Sequence, residues 1–255
     1  MRKLGSREIE EFKNYFQDYH ESYILIGGSA CQILLGNAGF DFRVTKDLDI
    51  VLCVQTLSVD FVHHFWSYIK KGKYRTAMKA SGKRCFYRFD KPEEVGFPGM
   101  IELLSPLPDI FRDVQGQVVL PMTIGEEVVS LSAIILNQEY YNFMINLKIS
   151  IDGIPLADHR VIIPLKARAY LDLKSRKGKK ENIKNSDIKK HKYDIFRMSR
   201  LLVNERIENV PDVIREDMLL LVTDIIENDL FLKQLGIVDI SMQEIKDLLI
   251  TVYGL

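Results

Sequence analysis

The stretch that most constrains this chain runs from residue 23 to residue 36. Tyr23-Ile24-Leu25-Ile26 is a short apolar run, Gly27 and Gly28 close it, and Ser29 to Leu35 follow with helical character that ends near Gly36. Four apolar residues bounded by glycine read as a buried strand, and the paired glycines allow a turn that sends the chain straight into a helix. Two readings fit this unit. A tight strand-to-helix turn needs glycine for its own geometry, and the same turn brings backbone close to a ligand and aims the free N–H groups of a helix start at an anion such as phosphate. The stretch has neither the GxxxxGK[ST] spacing of a P-loop, nor the GxGxxG of dinucleotide binders, nor the GxSxG of a nucleophile elbow.

Around that unit, Ile9, Phe12, Tyr15, Phe16 and Tyr19 recur at three- and four-residue steps and predict an amphipathic N-terminal helix. Residues 47–54 predict a strand, 59–69 a helix carrying Trp66, and 84–89 and 100–104 two more strands, with 118–120 and 128–136 expected to extend the sheet. After Asp158 the pattern turns helical, at 164–177, 187–204, 211–230 and 241–253, with Pro164 and Pro211 placed in first turns. Residues 177–186 are polar and basic and read as a mobile loop. The expected architecture is α+β: a mixed β-sheet domain with flanking helices over residues 1–155, then a helical C-terminal domain over 156–255. A chain of 255 residues that is 47% hydrophobic can bury a full core.

Cys31, Cys53 and Cys85 suit neither a disulfide framework nor a zinc pair, and no run approaches the roughly 18 apolar residues of a membrane span. A cytoplasmic protein with no membrane partner is expected. Thirty-five basic residues balance thirty-five acidic ones, which at first argues against a wholesale nucleic-acid binder. The balance is uneven along the chain, however. Residues 160–192 hold twelve basic and three acidic residues, a net of +9, and residues 201–255 hold four basic and eleven acidic, a net of −7.

The residues most capable of chemistry lie in Arg43-Val44-Thr45-Lys46-Asp47-Leu48-Asp49-Ile50-Val51. In a strand Asp47 and Asp49 project to one face, roughly 6.5–7 Å apart at Cα. Carboxylates so placed can share divalent ions, and two Mg²⁺ about 4 Å apart can activate an attacking oxygen and stabilise a leaving phosphate oxygen. The alternative is an amphipathic strand whose solvated face carries two aspartates. Glu102 is a third carboxylate in an unfavourable place, between Ile101 and Leu103 in an apolar strand. It needs a partner, which a metal or a salt bridge would provide.

The run Ile26-Gly27-Gly28-Ser29-Ala30, with Arg43, Thr45, Lys46, Asp47 and Asp49 downstream, resembles the nucleotidyltransferase superfamily typified by DNA polymerase beta. It is closest in form to the AbiEii toxin branch, where an Arg-x-Thr-x-Asp-x-Asp pattern is usual. Lys166-Ala167-Arg168 and Lys190-His191-Lys192-Tyr193-Asp194 resemble the helical elements of a bacterial subgroup of that family. The resemblance implies that Gly28 and Ser29, with Arg43, Thr45 and Lys46 nearby, hold the phosphates of an NTP. It implies that Asp47 and Asp49 bind two Mg²⁺ ions, or Mn²⁺ in their place, with Glu102 as third ligand. Lys166 would meet the triphosphate, with Asp194 as a polar partner. The implied activity is transfer of an NMP to an acceptor hydroxyl, with an RNA or tRNA 3′ end as leading acceptor and a toxin role paired with an antitoxin protein. The acidic C-terminal helices are a candidate docking face for that partner. A non-catalytic nucleotide- or RNA-binding regulator that keeps the fold is the alternative.

Two residue-level readings accompany this. Leu165, Ala169 and Leu173 form a packing stripe, while Lys166, Tyr170, Lys174 and Lys177 form a basic face with an aromatic, suited either to a phosphate backbone with Tyr170 stacking on a base or to plain solvation. His63 and His64 diverge on their helix and are expected at the surface, and the cysteines are expected to be buried small residues.

Overall fold

The computed structural model describes residues 7–76, 86–105, 137–179 and 181–255. The strands expected at 118–120 and 128–136, and Cys85, lie outside the described residues. Seven strands form one mixed sheet in the order β3-β4-β5-β2-β1-β7-β6. They are β1 (Tyr23–Ile26), β2 (Asp47–Leu52), β3 (Arg75–Thr76), β4 (Phe86–Asp90), β5 (Met100–Leu104), β6 (Lys148–Ile151) and β7 (Ile154–Ala157). At the centre, β2 runs parallel to β5 and antiparallel to β1, and β1 runs parallel to β7. All four residues of β1 are buried, as its uninterrupted apolar run requires of a strand covered on both faces.

Helices α1 (Arg7–Tyr15), α2 (Gly27–Asn37) and α3 (Val59–Lys71) flank the sheet. Phe12 of α1 meets Tyr23 of β1 and Tyr68 of α3 edge-on, with ring centroids 5.5 and 5.4 Å apart, the geometry aromatic quadrupoles favour. The N-terminal helix therefore packs as its spacing predicts. His64 accompanies it, with Nε2 2.8 Å from the Tyr15 carbonyl oxygen, and His63 is exposed. Cys31 and Cys53 are buried and free.

Sequence periodicity did not reveal the segment between residues 138 and 157. Helix α4 (Gln138–Asn146) starts at Asn137, whose side chain accepts from the N–H groups of Glu139 and Tyr140, and the β6–β7 hairpin turns on Asp152-Gly153. Both turn residues have positive φ, 50° and 76°, which is the demand of a type I′ hairpin turn and explains the Asp-Gly pair.

The helical region comprises α5 (His159–Gly178), α6 (Asn185–Ser199), α7 (Asp212–Asp224), α8 (Asp229–Gln234) and α9 (Met242–Tyr253). The expectation that Pro164 marks a first turn is corrected: α5 starts five residues earlier, where Asp158 accepts from the Arg160 N–H at 2.8 Å and caps the helix. Proline at 164 removes the donor that would bond the Arg160 carbonyl. The hydroxyl of buried Tyr253, from the end of α9, donates to that carbonyl at 2.9 Å, so the interior proline costs no buried hydrogen bond. The single helix expected at 211–230 is two. Extended backbone at Ile225 ends α7, and the Asn228 side chain caps α8 by accepting from the Phe231 N–H.

The uneven charge is internal complementarity. Lys174 of α5 pairs with Asp224 of α7, Arg168 of α5 with Asp217 of α7 at 2.8 Å, and Lys192 of α6 with Glu227 at 2.6 Å. Arg200, just past α6, reaches Asp239 at 2.9 Å. The basic segment and the acidic segment meet along one seam. Asp217, 2% exposed, is its most buried member and also accepts from the Tyr140 hydroxyl at 2.7 Å. Asp217→Ala leaves that buried hydroxyl without its acceptor and Arg168 without its partner. It is expected to lower unfolding free energy by about 2–4 kcal/mol in urea titrations with unchanged slope. A midpoint equal to wild type would show that the seam does not hold α7.

Candidate active site

One rung of the sheet carries most of the site. In register across four strands stand Ile26 of β1, Asp49 of β2, Glu102 of β5 and Arg88 of β4. Residues opposite one another on adjacent strands share a face, so two carboxylates and a guanidinium line up from the end of β1 outward. Arg88 Nε donates to Glu102 Oε1 at 2.8 Å, and its terminal nitrogen reaches the same oxygen. Asp49 and Glu102 stand opposite one another in the β2–β5 register, close enough for the charge of Asp49 to act on Glu102. Glu102 is 4% exposed, and burial first, then the neighbouring charge of Asp49, push its pKa up to about 8 against the opposing pull of Arg88.

The glycine turn is built around this rung. Gly27, at φ +65°, opens α2, and a Cβ placed on it would lie 1.8 Å from Asp49 Oδ2. Both conformation and space therefore demand glycine, and the Asp49 carboxylate rests directly over the turn. A Cβ at Gly28 would meet the Arg43 guanidinium at 3.4 Å and Thr45 Oγ1 at 3.5 Å. Asp47, two residues before Asp49, is exposed at the start of β2. Its pKa is raised by partial burial and by Asp49, against the nearby cations Lys190, Arg88 and Arg43.

The remaining sequence candidates divide by their contacts. The buried Ser29 hydroxyl donates to the Asp47 carbonyl, fixing α2 to the start of β2. Thr45 is buried; its N–H donates to Gln32 Oε1 at 3.0 Å and its Oγ1 accepts from the Asp47 N–H at 3.3 Å. Lys46 is exposed, and its carbonyl accepts from the Gly99 N–H at 2.8 Å. From the helical region, Lys166 of α5 is 6% exposed and its Nζ lies 2.8 Å from Asp194 Oδ2 of α6, with Arg43 at 3.5 Å from the same oxygen. Burial alone would raise the Asp194 pKa, but Lys166, Arg43 and Arg197 together bring it below its ordinary value.

These elements enclose a cleft of about 70 Å³ between the glycine turn and the helices α5 and α6. Gly27, Gly28, Arg43, Asp49, Lys166, Lys190 and His191 supply its polar lining, and Ile26, Ile162, Leu165 and Ala169 its apolar wall. The stacking role expected for Tyr170 is corrected. Its ring is buried and its hydroxyl bonds Asp224, which also takes Lys174, so α5 offers no open basic face there. Sequence reasoning did not nominate Arg88. Arg88 was legible as a lone cation between aromatic residues of a strand, the counterpart of Glu102 in its own apolar strand. Lys190, read as part of a helix face, lines the cleft.

Hard carboxylate oxygens at Asp47 and Asp49 are a donor type that suits Mg²⁺, and a cation there would relieve the repulsion between Asp49 and Glu102. Among the described residues no three His, Cys, Asp or Glu side chains are gathered as one metal-holding group. Glu102, opposite Asp49 in the register, is paired with Arg88.

No family model matches the chain, and no curated protein matches it. A solved structure of an antigenic nucleotidyltransferase-like protein from Paracoccidioides brasiliensis is similar at 15% identity, over 92% of this chain and 94% of that one, with a TM-score of 0.46. Among the described residues no helix is long and apolar enough to cross a membrane.

Two outcomes test this geometry. Gly27→Ala is expected to destabilise the fold by about 1–3 kcal/mol through its positive φ and to displace the Asp49 carboxylate, visible in a crystal structure of the variant. An undisturbed Asp49 would contradict the close approach. Glu102 has a raised folded pKa, so its contribution is full below pH 4.5 and falls as pH rises towards about 8. Glu102→Gln is expected to flatten the decline of the urea midpoint between pH 5 and 8.5, and an unchanged decline would place the titration elsewhere.

Proposed function

We propose that the protein is a nucleotidyltransferase that moves an NMP from an NTP to an acceptor hydroxyl. The observation that carries this reading is the placement of Asp47 and Asp49 on the strand face that meets the Gly27-Gly28 turn at the start of α2. A helix start with close backbone binds phosphate, and adjacent carboxylates on hard-oxygen terms bind the cations that phosphate chemistry uses. Asp47 and Asp49 would hold two Mg²⁺ ions, or Mn²⁺ in their place. When bound, such ions neutralise the phosphates and lower the pKa of an attacking hydroxyl.

The chain's own residues account for the rest. Gly28 gives the phosphates room to approach the turn, and Arg43 stands beside it. The acceptor oxygen attacks the α-phosphorus, the bond from that phosphorus to the pyrophosphate oxygen breaks, and the hydroxyl proton passes to solvent water. The cleft of about 70 Å³ is large enough for little more than two waters, so base and ribose lie outside its enclosed part. The apolar wall from α5 excludes water around the reacting groups.

An RNA or tRNA 3′ end is the proposed acceptor. Lys179 and Lys184 in the α5–α6 connection and Lys189 and Lys190 in the second turn of α6 are exposed, Lys190 lines the cleft, and together they support a polyanionic substrate after the other basic residues are set aside as internal partners. A toxin role with an antitoxin partner belongs to the same proposal and rests on the resemblance of the motifs. The alternative, a nucleotide- or RNA-binding regulator, is favoured by one observation: Arg88 already occupies Glu102.

Incubation with α-labelled NTPs, Mg²⁺ and total RNA is expected to label RNA, with at least a 100-fold loss in the Asp47→Ala, Asp49→Ala double variant and on chelation of Mg²⁺. Equal labelling by the double variant would overturn the enzyme reading. NTP binding without turnover, insensitive to Mg²⁺, would establish the regulator.

A further inference from the structure

We infer that Lys190, at the mouth of the cleft, is the side chain that takes the phosphates of a nucleotide polyphosphate, and that Lys166 is a positioning residue whose charge holds Asp194. The inference rests on the reading of the cleft as a nucleotide site but does not require the transfer step. Three cations line the cleft: Arg43, Lys166 and Lys190. Lys166 is buried against Asp194 at 2.8 Å, and Asp194 Oδ1 has no hydrogen-bond donor among the described residues. Moving the Lys166 ammonium onto a phosphate would leave a buried carboxylate with only Arg43 at 3.5 Å and Arg197 at 3.6 Å, which is costly. Arg43 is tied to the same carboxylate.

Lys190 differs in each respect. It is exposed and pairs with no carboxylate among the described residues. It precedes Asp194 by four positions on α6, which puts both on one helix face, but Asp194 is buried against Lys166 whereas Lys190 is exposed and lines the cleft. It shares the lining with Gly28 and Asp49, and it is the cation that acts most strongly on Asp47. A flexible ammonium with three donors suits the several oxygens of a polyphosphate.

The test is calorimetric titration of the full chain with inorganic tripolyphosphate and Mg²⁺. Lys190→Gln is expected to weaken binding about tenfold, as loss of one charge-assisted contact does, with Lys190→Arg within about threefold of wild type. Its melting temperature should equal wild type, because Lys190 supports no buried group. Lys166→Met should lower the melting temperature, and Lys233→Gln, which is not part of the cleft lining, should change neither property. In turnover, Lys190→Gln should raise KM for NTP about tenfold with kcat within about threefold. Binding by Lys190→Gln within twofold of wild type would overturn the assignment, as would a wild-type protein that binds no tripolyphosphate. Wild-type binding that falls with Lys190→Gln, without nucleotide transfer, would uphold it while refuting the transferase reading.

Discussion

Asp194 is a carboxylate buried among helices, and the arrangement of the cleft follows from how its charge is met. Lys166 arrives from α5, Arg43 from the loop between α2 and β2, and Arg197 from its own helix. An unpaired charge at such a depth would cost several kcal/mol, so the three elements are held to one another rather than merely adjacent. Arg43 belongs to the segment that leads into Asp47 and Asp49. Fixing it fixes where β2 begins relative to the helices, and with that the distance between the acidic strand and α5.

The second constraint is steric. Asp49 rests over Gly27 so closely that no side chain fits between them, and Ser29 secures the turn to the Asp47 carbonyl. Glu102 then completes a rung in which two acids stand side by side and one guanidinium, paired with Glu102, offsets them. Burying this much carboxylate in a sheet is unfavourable for folding alone. The arrangement makes chemical sense as a site that holds cations and protons near phosphate, which is why the functional proposal is built on it.

Much of the fold was legible where a local rule had no competitor. Tyr23–Ile26, Met100–Leu104 and the Ser241 cap of α9 follow from apolar runs, glycine and capping chemistry. The site was legible in part, because Asp47, Asp49 and the glycine turn lie close in sequence. The contribution of Arg88 depends on β4, β5 and β2 being neighbours, which strand order alone decides. Pro164 misled because its helix is rescued by Tyr253, whose hydroxyl bonds the Arg160 carbonyl across a separation of 93 residues and is invisible to local propensity. The Asp152-Gly153 hairpin carried an ordinary turn signal that the short flanking strands obscured. The segregated charge was read as two surfaces for partners, and it is largely a seam between α5, α6 and the C-terminal helices, since ion pairing depends on contacts that sequence blocks do not specify.

The most direct measurement is a crystal structure of the protein with Mg²⁺ and a non-hydrolysable NTP analogue. The account requires the phosphates to lie against Gly28 at the start of α2, with metal density between them and the carboxylates of Asp47 and Asp49. A nucleotide bound elsewhere, or phosphates at the turn with both aspartates directed away and no metal, would contradict it.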